Sequence, residues 1–207
     1  TIVATNIVLE CPATDTSTNA TGSPLVQDAC GTVISLTYSD IVSNGCAGTK
    51  VVYRTWTAID NNFFSTNVVQ TITVRDITPP TITLPTDVTL ECPASDTSTN
   101  ATGMATASDG CGTVAISYVD SVTTSCASTK VIARTWTAVD ACGNSANAVQ
   151  TITIRDTTPP VITAPANRLL ECPANTTPLA TGTATATDGC GSVTIAYSDS
   201  SSGSGGT

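Results

Sequence analysis

Residues 155–160 read Arg-Asp-Thr-Thr-Pro-Pro, and residues 75–80 read Arg-Asp-Ile-Thr-Pro-Pro. Each stretch ends one run of alternating apolar and polar residues and opens another. Paired prolines fix the backbone φ angle and remove two amide donors, so a strand cannot continue through them. We therefore interpret the two stretches as short, stiff linkers between copies of one repeated module.

Three motifs recur in the same order on either side of these linkers. Leu-Glu-Cys-Pro occupies residues 9–12, 90–93 and 170–173, and Asp-x-Cys-Gly occupies residues 28–31, 109–112 and 188–191. Arg-Thr-Trp-Thr-Ala-x-Asp occupies residues 54–60 and 134–140. Self-similarity at a fixed spacing of this kind is the mark of a tandem array. It predicts three modules of about 80 residues: 1–78, a complete copy at 79–158, and a partial copy at 159–207 that stops after its third strand.

The composition and the alternation pattern predict an all-β fold of tandem β-sandwich modules stapled by disulfides. In the complete module, five strands are expected near residues 81–92, 102–108, 113–120, 130–139 and 146–155, separated by turn residues. Ile132, Trp136 and Ala138 alternate onto one face, so we expect Trp136 at the centre of the core. The first copy has one extra residue before Tyr38, which predicts a β-bulge near residues 34–35.

Composition also excludes several classes of function. The net charge is −9 with only seven basic residues, which disfavours a nucleic-acid-binding stripe. The sequence has no histidine, so the usual serine and cysteine triads cannot form, and we expect no enzymatic activity. No apolar run is long enough to insert into a membrane. The chain begins inside a strand pattern without a signal peptide, which indicates a processed product or an excised piece.

The nine cysteines contain no C-x-x-C pair, which favours disulfides in an oxidising compartment over zinc. The directions of the strands predict which cysteines lie at the same end of a module. In the complete copy they predict Cys92–Cys126 and Cys111–Cys142. The same reasoning predicts Cys11–Cys46 in the first copy.

Three cysteines lack a partner in this scheme: Cys30, Cys172 and Cys190. Residues 61–64, Asn-Asn-Phe-Phe, replace the cysteine-bearing turn of the first copy, so Cys30 is expected to be a buried free thiol or an intermolecular link. The third copy lacks its last two strands and would expose sheet edges. Either a longer chain or another chain would complete it. Phe63 and Phe64 are expected to form an exposed apolar contact with a preceding module or another chain.

Acidic residues near the linkers suggest a calcium site, because Ca²⁺ takes six to eight oxygen ligands. The candidate ligands are Asp76, Asp109, Asp140, Asn144, Asp156 and Asp188. The alternative is that these side chains only stabilise turns and that the acidity only maintains solubility.

Glycosylation is a further hypothesis. Asn19, Asn100 and Asn175 lie in N-x-Ser/Thr sequons within the same polar loop of each copy. Ser121 and Thr157 follow aspartates in a pattern similar to the O-glycan acceptor of Bacteroidota.

Together the motifs resemble the hyalin-repeat-like, immunoglobulin-type modules found in tandem in secreted surface proteins of Bacteroidota, including gliding adhesins. That resemblance covers essentially the whole chain. It implies a non-enzymatic extracellular segment at the cell surface that extends and presents, as part of an adhesin stalk or array. The expected partners are neighbouring modules of the same or identical chains, and surface glycans or other cells. Two alternatives stay open: a filament whose chains complete one another's sandwiches, and a carbohydrate-binding module.

Overall fold

A computed structural model describes residues 1–94, 96–125 and 128–201 of the 207. The fold is all-β, as the sequence predicts. The first module contains six strands: β1 (Ile2–Val3), β2 (Ile7–Glu10), β3 (Leu25–Val26), β4 (Val33–Asn44), β5 (Lys50–Asp60) and β6 (Ser65–Arg75). The second contains β7 (Thr81–Thr83), β8 (Val88–Glu91), β9 (Thr106–Ser108), β10 (Val114–Thr124), β11 (Lys130–Asp140) and β12 (Ser145–Arg155). The described part of the third contains β13 (Val161–Thr163) and β14 (Thr185–Thr187).

Single helical turns interrupt these strands. They are α1 (Thr18–Thr21), α2 (Thr99–Thr102) and α3 (Pro178–Thr181), together with a 3₁₀ turn at Cys46–Gly48. The first three occupy the region predicted as a polar loop and the start of strand two, so that strand begins later than expected. No helix among the described residues is long and apolar enough to cross a membrane.

Each of the first two modules divides its strands between two sheets. In the first, the four-stranded sheet has the order β2-β6-β5-β4, and β1 pairs with β3 in a separate two-stranded sheet. In the second, the corresponding sheets are β8-β12-β11-β10 and β7-β9. The first strand of the sequence pattern is thus split, and its two halves belong to different sheets. Pro85 lies at this break in the second module, where a missing amide donor costs no ladder hydrogen bond.

The second half of the split strand pairs in parallel with the last strand of its own module. Ile7 to Glu10 of β2 align with Ile72 to Arg75 of β6. Val88 to Glu91 of β8 align in the same way with Ile152 to Arg155 of β12. Parallel strands end at the same edge of a sheet, so the Glu-Cys-Pro motif lies beside the point where the chain leaves the module.

Contacts group the chain into two compact units, each containing one linker. The first comprises residues 1–84, 105–119 and 135–149, and the second comprises residues 85–104, 120–134 and 150–207. Each unit therefore combines parts of two consecutive sequence repeats. The repeat boundaries at residues 78 and 158 stay a prediction.

The core is built around one tryptophan in each complete module. Trp56 is 3% exposed and Trp136 is 1% exposed, and Ile132 and Ala138 are buried beside Trp136 on the same strand, as predicted. Tyr38 and Tyr118 pack against these indoles at ring-centroid distances of 5.1 and 5.0 Å. The predicted bulge is present, because the register of β4 against β5 shifts between residues 33 and 35.

A buried arginine ties the polar loop of each of the first two modules to its main sheet. The Arg134 guanidinium donates two 2.8 Å hydrogen bonds to Asp120, one of 2.8 Å to the Thr102 hydroxyl and one of 2.7 Å to the Thr97 carbonyl. Arg54 makes the equivalent contacts in the first module, and its guanidinium lies 4.4 Å from the centre of the Tyr38 ring. The hydrogen bonds from Arg134 lower the pKa of Asp120, although burial opposes the shift.

Asp120→Asn removes the carboxylate that faces this buried guanidinium, and we expect it to cost about 3 kcal/mol of unfolding free energy at pH 7. Because the folded-state pKa of Asp120 lies below its ordinary value of 3.8, its stabilising effect is present above that pH and is lost as the pH falls through the folded-state value. The variant should therefore lose less stability than the wild type on acidification below 3.8. Denaturant titrations at several pH values measure both effects.

Asp199→Asn is the control, because Asp199 occupies the same position in the third module, which has no arginine strand in this sequence. Equal losses in the two variants would contradict the role given to Asp120.

Candidate functional site

The linkers between modules are held by the glutamate of the Glu-Cys-Pro motif. Glu10 Oε1 accepts hydrogen bonds from the Ile77 amide at 2.8 Å and from the Thr78 hydroxyl at 3.3 Å. Glu91 does the same at the second linker, where it accepts from the Thr157 amide at 2.7 Å and from the Thr158 hydroxyl at 3.0 Å. The bond from Thr157 is the main reason that the pKa of Glu91 is lowered. Each linker is thus fastened to the module that it leaves.

Disulfides then fasten each module to the next. The three bonds are Cys11–Cys111, Cys46–Cys142 and Cys92–Cys190, with Cα–Cα distances of 5.9, 5.2 and 5.8 Å. These distances lie within the roughly 4.4–6.8 Å range of protein disulfides. Each bond spans 96 to 100 residues of sequence. In the chain-entropy model a loop of that length stabilises by on the order of 4–5 kcal/mol.

The predicted disulfide pairs are therefore wrong. Cys11 is bonded to Cys111 and not to Cys46. Cys111 and Cys142 are not bonded to each other, because each pairs with a cysteine of the first module. Cys92 is bonded to Cys190; the other half of the predicted Cys92–Cys126 pair, Cys126, lies outside the described residues.

The physical reason lies in the linker. Strand directions place the Glu-Cys-Pro cysteine at the exit end of its module, since β2 and β6 end together. The sequence-based prediction gave this cysteine a partner at that end of the same module. The short linker brings the entry end of the next module to the same place, and the Asp-Gly-Cys-Gly cysteine of that module forms the bond.

The unpaired cysteines also differ from the prediction. Cys190 was expected to lack a partner, but it is bonded and 1% exposed. Cys30 is free, yet it is exposed and not the buried thiol that the sequence suggested, because no described module covers its turn. Cys172 is free, as predicted, and it is exposed.

Glycines allow close approach at both joints. An added Cβ on Gly110 would lie 3.5 Å from Pro12, and one on Gly189 would lie 3.5 Å from Pro93. At Gly112, which has φ of 114°, a Cβ would come within 2.7 Å of the Ala47 side chain. The 3₁₀ turn of the first module therefore packs directly on the cysteine turn of the second.

The first joint also gathers the acidic residues that the sequence singled out. Asp76 is 8% exposed, and its Oδ2 has no hydrogen-bond partner among the described atoms. Ligand atoms of Asp76, Asp109 and Cys111 lie within 4.8 Å of one another. Because the Cys111 sulfur is in a disulfide, it offers no thiolate, and two carboxylates make up the possible cation ligands of this group.

Asn144 links Asp140 to this pair, and its side-chain amide donates to Asp140 Oδ2 at 2.8 Å. Burial of the Asp140 carboxyl opposes its ionisation, yet hydrogen bonds from Asn144 and from the backbone of the 140–144 turn lower its pKa. The Asn144 amide also donates to the Asp76 carbonyl at 3.2 Å. This turn therefore packs against Asp76.

The second joint is more open. Asp156 is exposed, although it lines a cavity with Asp188 and Cys190. The given sequence stops before the position that a counterpart of the 140–144 turn would occupy. Of the six predicted calcium ligands, the structure thus brings Asp76 and Asp109 close together and leaves Asp156 accessible.

Two of the predicted glycosylation sites occupy equivalent positions in the first two modules. Asn19 and Asn100 are exposed on the helical turns α1 and α2. The Thr21 and Thr102 hydroxyls of these sequons are buried against Arg54 and Arg134, which gives the recurrent sequence a structural role.

The other predicted sites are exposed, and two of them, Asn175 and Thr157, form hydrogen bonds within the fold. The Asn175 carboxamide accepts a hydrogen bond from the Thr177 amide, as Asp15 and Asp96 do in the other copies, so its sequon is not at the position of Asn19. Ser121 is exposed on β10, and the exposed Thr157 donates its hydroxyl hydrogen to Glu91 at 2.8 Å. Glycosylation at these positions stays a prediction.

Comparisons with known proteins place this chain in no family. No family model matches it, and no curated protein matches it. Among solved structures it is similar to a protocadherin gammaB7 EC3-6 cis-dimer, with a TM-score of 0.31, 12% identity and coverage of 65% of this chain and 45% of that one. It is also similar to human CDH23 EC21-23, with a TM-score of 0.32, 16% identity and coverage of 69% and 55%. This chain thus spans about half the length of each. The resemblance to hyalin-repeat-like modules of Bacteroidota stays a prediction.

Trypsin digestion without reduction should show the bonds between modules directly. Cleavage after lysine and arginine places cysteines in four peptides, residues 1–50, 76–130, 135–155 and 169–207. The three bonds should hold all four peptides in one cross-linked species that separates on reduction. Mass spectrometry detects it. Release of residues 1–50 as an unlinked peptide before reduction would support bonds within modules instead.

Proposed function

We propose that this chain is a non-enzymatic structural segment of an extracellular protein, whose modules extend and present neighbouring parts as an adhesin stalk or array. The observation that carries this proposal is that its disulfides join consecutive modules and not the ends of one module. Such bonds persist in oxidising compartments, which supports a place outside the cell. The partners that fit are neighbouring modules of the same type, with glycans or other cells as surfaces to be bound.

The bonds between modules limit how far tension can extend the chain. The shortest covalent path from residue 1 runs to Cys11, crosses to Cys111, returns along the chain to Cys92, crosses to Cys190 and continues to residue 207. It contains only about 46 of the peptide steps of the chain, which corresponds to roughly 160 Å when fully extended. The reduced chain would reach roughly 700 Å. A module that unfolds under load therefore cannot release most of its length.

Single-molecule stretching between the two ends tests this function. The oxidised chain should reach a limit near 160 Å and the reduced chain a limit near 700 Å, roughly. Removal of the first bond, with serines at residues 11 and 111, should raise the oxidised limit to roughly 370 Å. Removal of the Cys46–Cys142 bond is the matched control, because the shortest path does not use it. An oxidised limit equal to the reduced one would show that these bonds carry no load and would reject the proposal.

A filament assembled by completion of sandwiches between chains is the second candidate. It is favoured by the third module, whose described sheet consists of β13 and β14 and whose Leu169 is 96% exposed. The two tryptophan strands of this chain, β5 and β11, are already paired within their own sheets. Completion by another copy would have to displace one of them. Fibres in electron micrographs, with strands crossing between chains, would favour this candidate over the stalk.

Calcium at the first joint refines the proposed function. A partnerless carboxylate oxygen of a buried aspartate is costly to leave beside a second carboxylate, and a divalent cation would offset both charges. Asp76 and Asp109 would hold the ion, water would supply further ligands, and the 140–144 turn would shield it. Such an ion would stiffen the linker at its exit from the first module.

Thermal unfolding with millimolar calcium and with chelator tests the ion. Calcium should raise the Tm of the wild type by several degrees, on the order of 1 kcal/mol. Asp76→Asn should remove that shift and raise the Tm in chelator, because the variant no longer buries an unpaired charge. Asp28→Asn is the control, since Asp28 is the counterpart of Asp109 in the first module and lies outside the acidic group of Asp76 and Asp109. An unchanged wild-type Tm, or a shift that persists in Asp76→Asn, would reject the site.

A further inference from the structure

We propose that the disulfide between Cys46 and Cys142 is a modification site, at which a low-molecular-weight thiol such as glutathione attaches to Cys46. This bond lies at the first joint, and it differs from the other two bonds in its surroundings. Cys46 is exposed and Cys142 is half-buried. The four cysteines of the other two bonds are all buried, with exposed fractions between 1% and 9%. A thiolate must reach a sulfur atom in order to exchange with it, so access decides which bond opens first.

The turns on both sides of this bond leave room for an incoming thiol. Gly48 belongs to the same 3₁₀ turn as Cys46, and Gly143 follows Cys142 directly. A Cβ added to either glycine would meet no heavy atom within 4 Å beyond its chain neighbours. The Cys46 sulfur also lies 3.5 Å from the Thr49 hydroxyl, so it has a polar neighbour on that side. The bond is thus approached through open space and not through packed side chains.

The Cys92–Cys190 bond is protected by packing. Cys92 and Cys190 form a buried apolar cluster with Ile154, and Leu90 and Ala94 pack against it. A thiolate carries a charge, and moving a charge into such a cluster without a partner is costly. The surrounding structure would have to open before a thiolate could attack this bond, which slows its exchange.

The Cys11–Cys111 bond is protected both by burial and by charge. Cys11 is 9% exposed and Cys111 is 4% exposed. Carboxylate oxygens of Asp76 and Asp109 lie within 4.8 Å of the Cys111 sulfur. Like charges this close repel in a buried site, which disfavours both the approach of a thiolate and the release of one from Cys111. The fold therefore leaves the exposed bond of the first joint as the one that exchanges most readily.

Exchange begins when a glutathione thiolate attacks the exposed Cys46 sulfur. A sulfur–sulfur bond forms between glutathione and Cys46, and the bond from Cys46 to Cys142 breaks with its electron pair going to Cys142. The Cys142 thiolate then takes up the proton that glutathione had released. The products are one mixed disulfide on Cys46 and one thiol at Cys142, so the step needs no further oxidant or reductant.

Attachment of the thiol frees a turn without breaking the covalent path that bears load in the proposed function. That path runs through the other two bonds. The 140–144 turn loses its covalent link to the first module. It keeps the 3.2 Å hydrogen bond from Asn144 to the Asp76 carbonyl as a contact with the linker. A thiol would thus loosen the first joint while the chain keeps its limit of extension.

Partial exchange followed by peptide mapping tests this site on the whole chain. Free thiols are first blocked with N-ethylmaleimide, glutathione is added in a buffer that contains chelator, and the reaction is stopped with iodoacetamide. After trypsin digestion without reduction, residues 135–155 form a peptide whose single cysteine is Cys142. That peptide should be released first, alkylated at Cys142. Its release should be on the order of tenfold faster than the opening of either buried bond.

The rest of the cross-linked species locates the glutathione. The peptides 1–50, 76–130 and 169–207 should stay joined by the two buried bonds and should carry one glutathione, on Cys46. The double variant Cys46→Ser/Cys142→Ser is the matched control, and it should gain no glutathione in the same time. In denaturant the three bonds should open at similar rates, because the fold no longer shields two of them.

Several results would overturn the inference. These are release of residues 169–207 before residues 135–155, opening of all three bonds together in the folded protein, and an order of opening that persists in denaturant. Glutathione found on Cys142, or equal uptake by the double variant, would overturn it as well. None of these results changes the stretching limit of the oxidised chain, because that limit depends on the two buried bonds.

Discussion

The parallel pairing of a short strand with the last strand of its module is the constraint on which the rest of this structure depends. Because β2 and β6 end at the same edge, the Glu-Cys-Pro motif and the departing linker lie side by side. The glutamate can then hold the linker, and the cysteine can face the module that follows. An antiparallel pairing would place that cysteine at the opposite end of the sheet, where it could bond only backwards along the array.

The modules also have few aromatic residues with which to form a core. The core of each complete module relies on one tryptophan. A buried arginine adds directional hydrogen bonds, in place of the packing that further aromatic rings would provide. Arg134 reaches the sheet, the helical turn and the polar loop at once. The loop is thereby fixed to the sheet, which gives the Thr-Asn-Ala-Thr-Gly sequence of the first two copies a structural role.

Sequence reasoning predicted what depends on local patterns. The strands that carry Trp136, the bulge before Tyr38 and the all-β class follow from alternation, spacing and turn residues, and the structure confirms them. The strand directions were inferred correctly too. The disulfide partners were not, because two neighbouring modules present cysteines at each joint and alternation along one strand cannot distinguish them. The burial of Asp76 could not be predicted from the sequence either, since it depends on a turn that lies 64 residues or more further along the chain.

Overlapping covalent loops also determine what happens when such a chain is damaged. The bond between Cys11 and Cys111 encloses one stretch, the bond between Cys92 and Cys190 encloses the next, and the two stretches overlap. Any single backbone cut between Cys11 and Cys190 therefore leaves both fragments joined by at least one disulfide. Exposed loops on extracellular proteins are the preferred sites of protease attack. An array built in this way can be nicked in any of these loops and still remain one molecule.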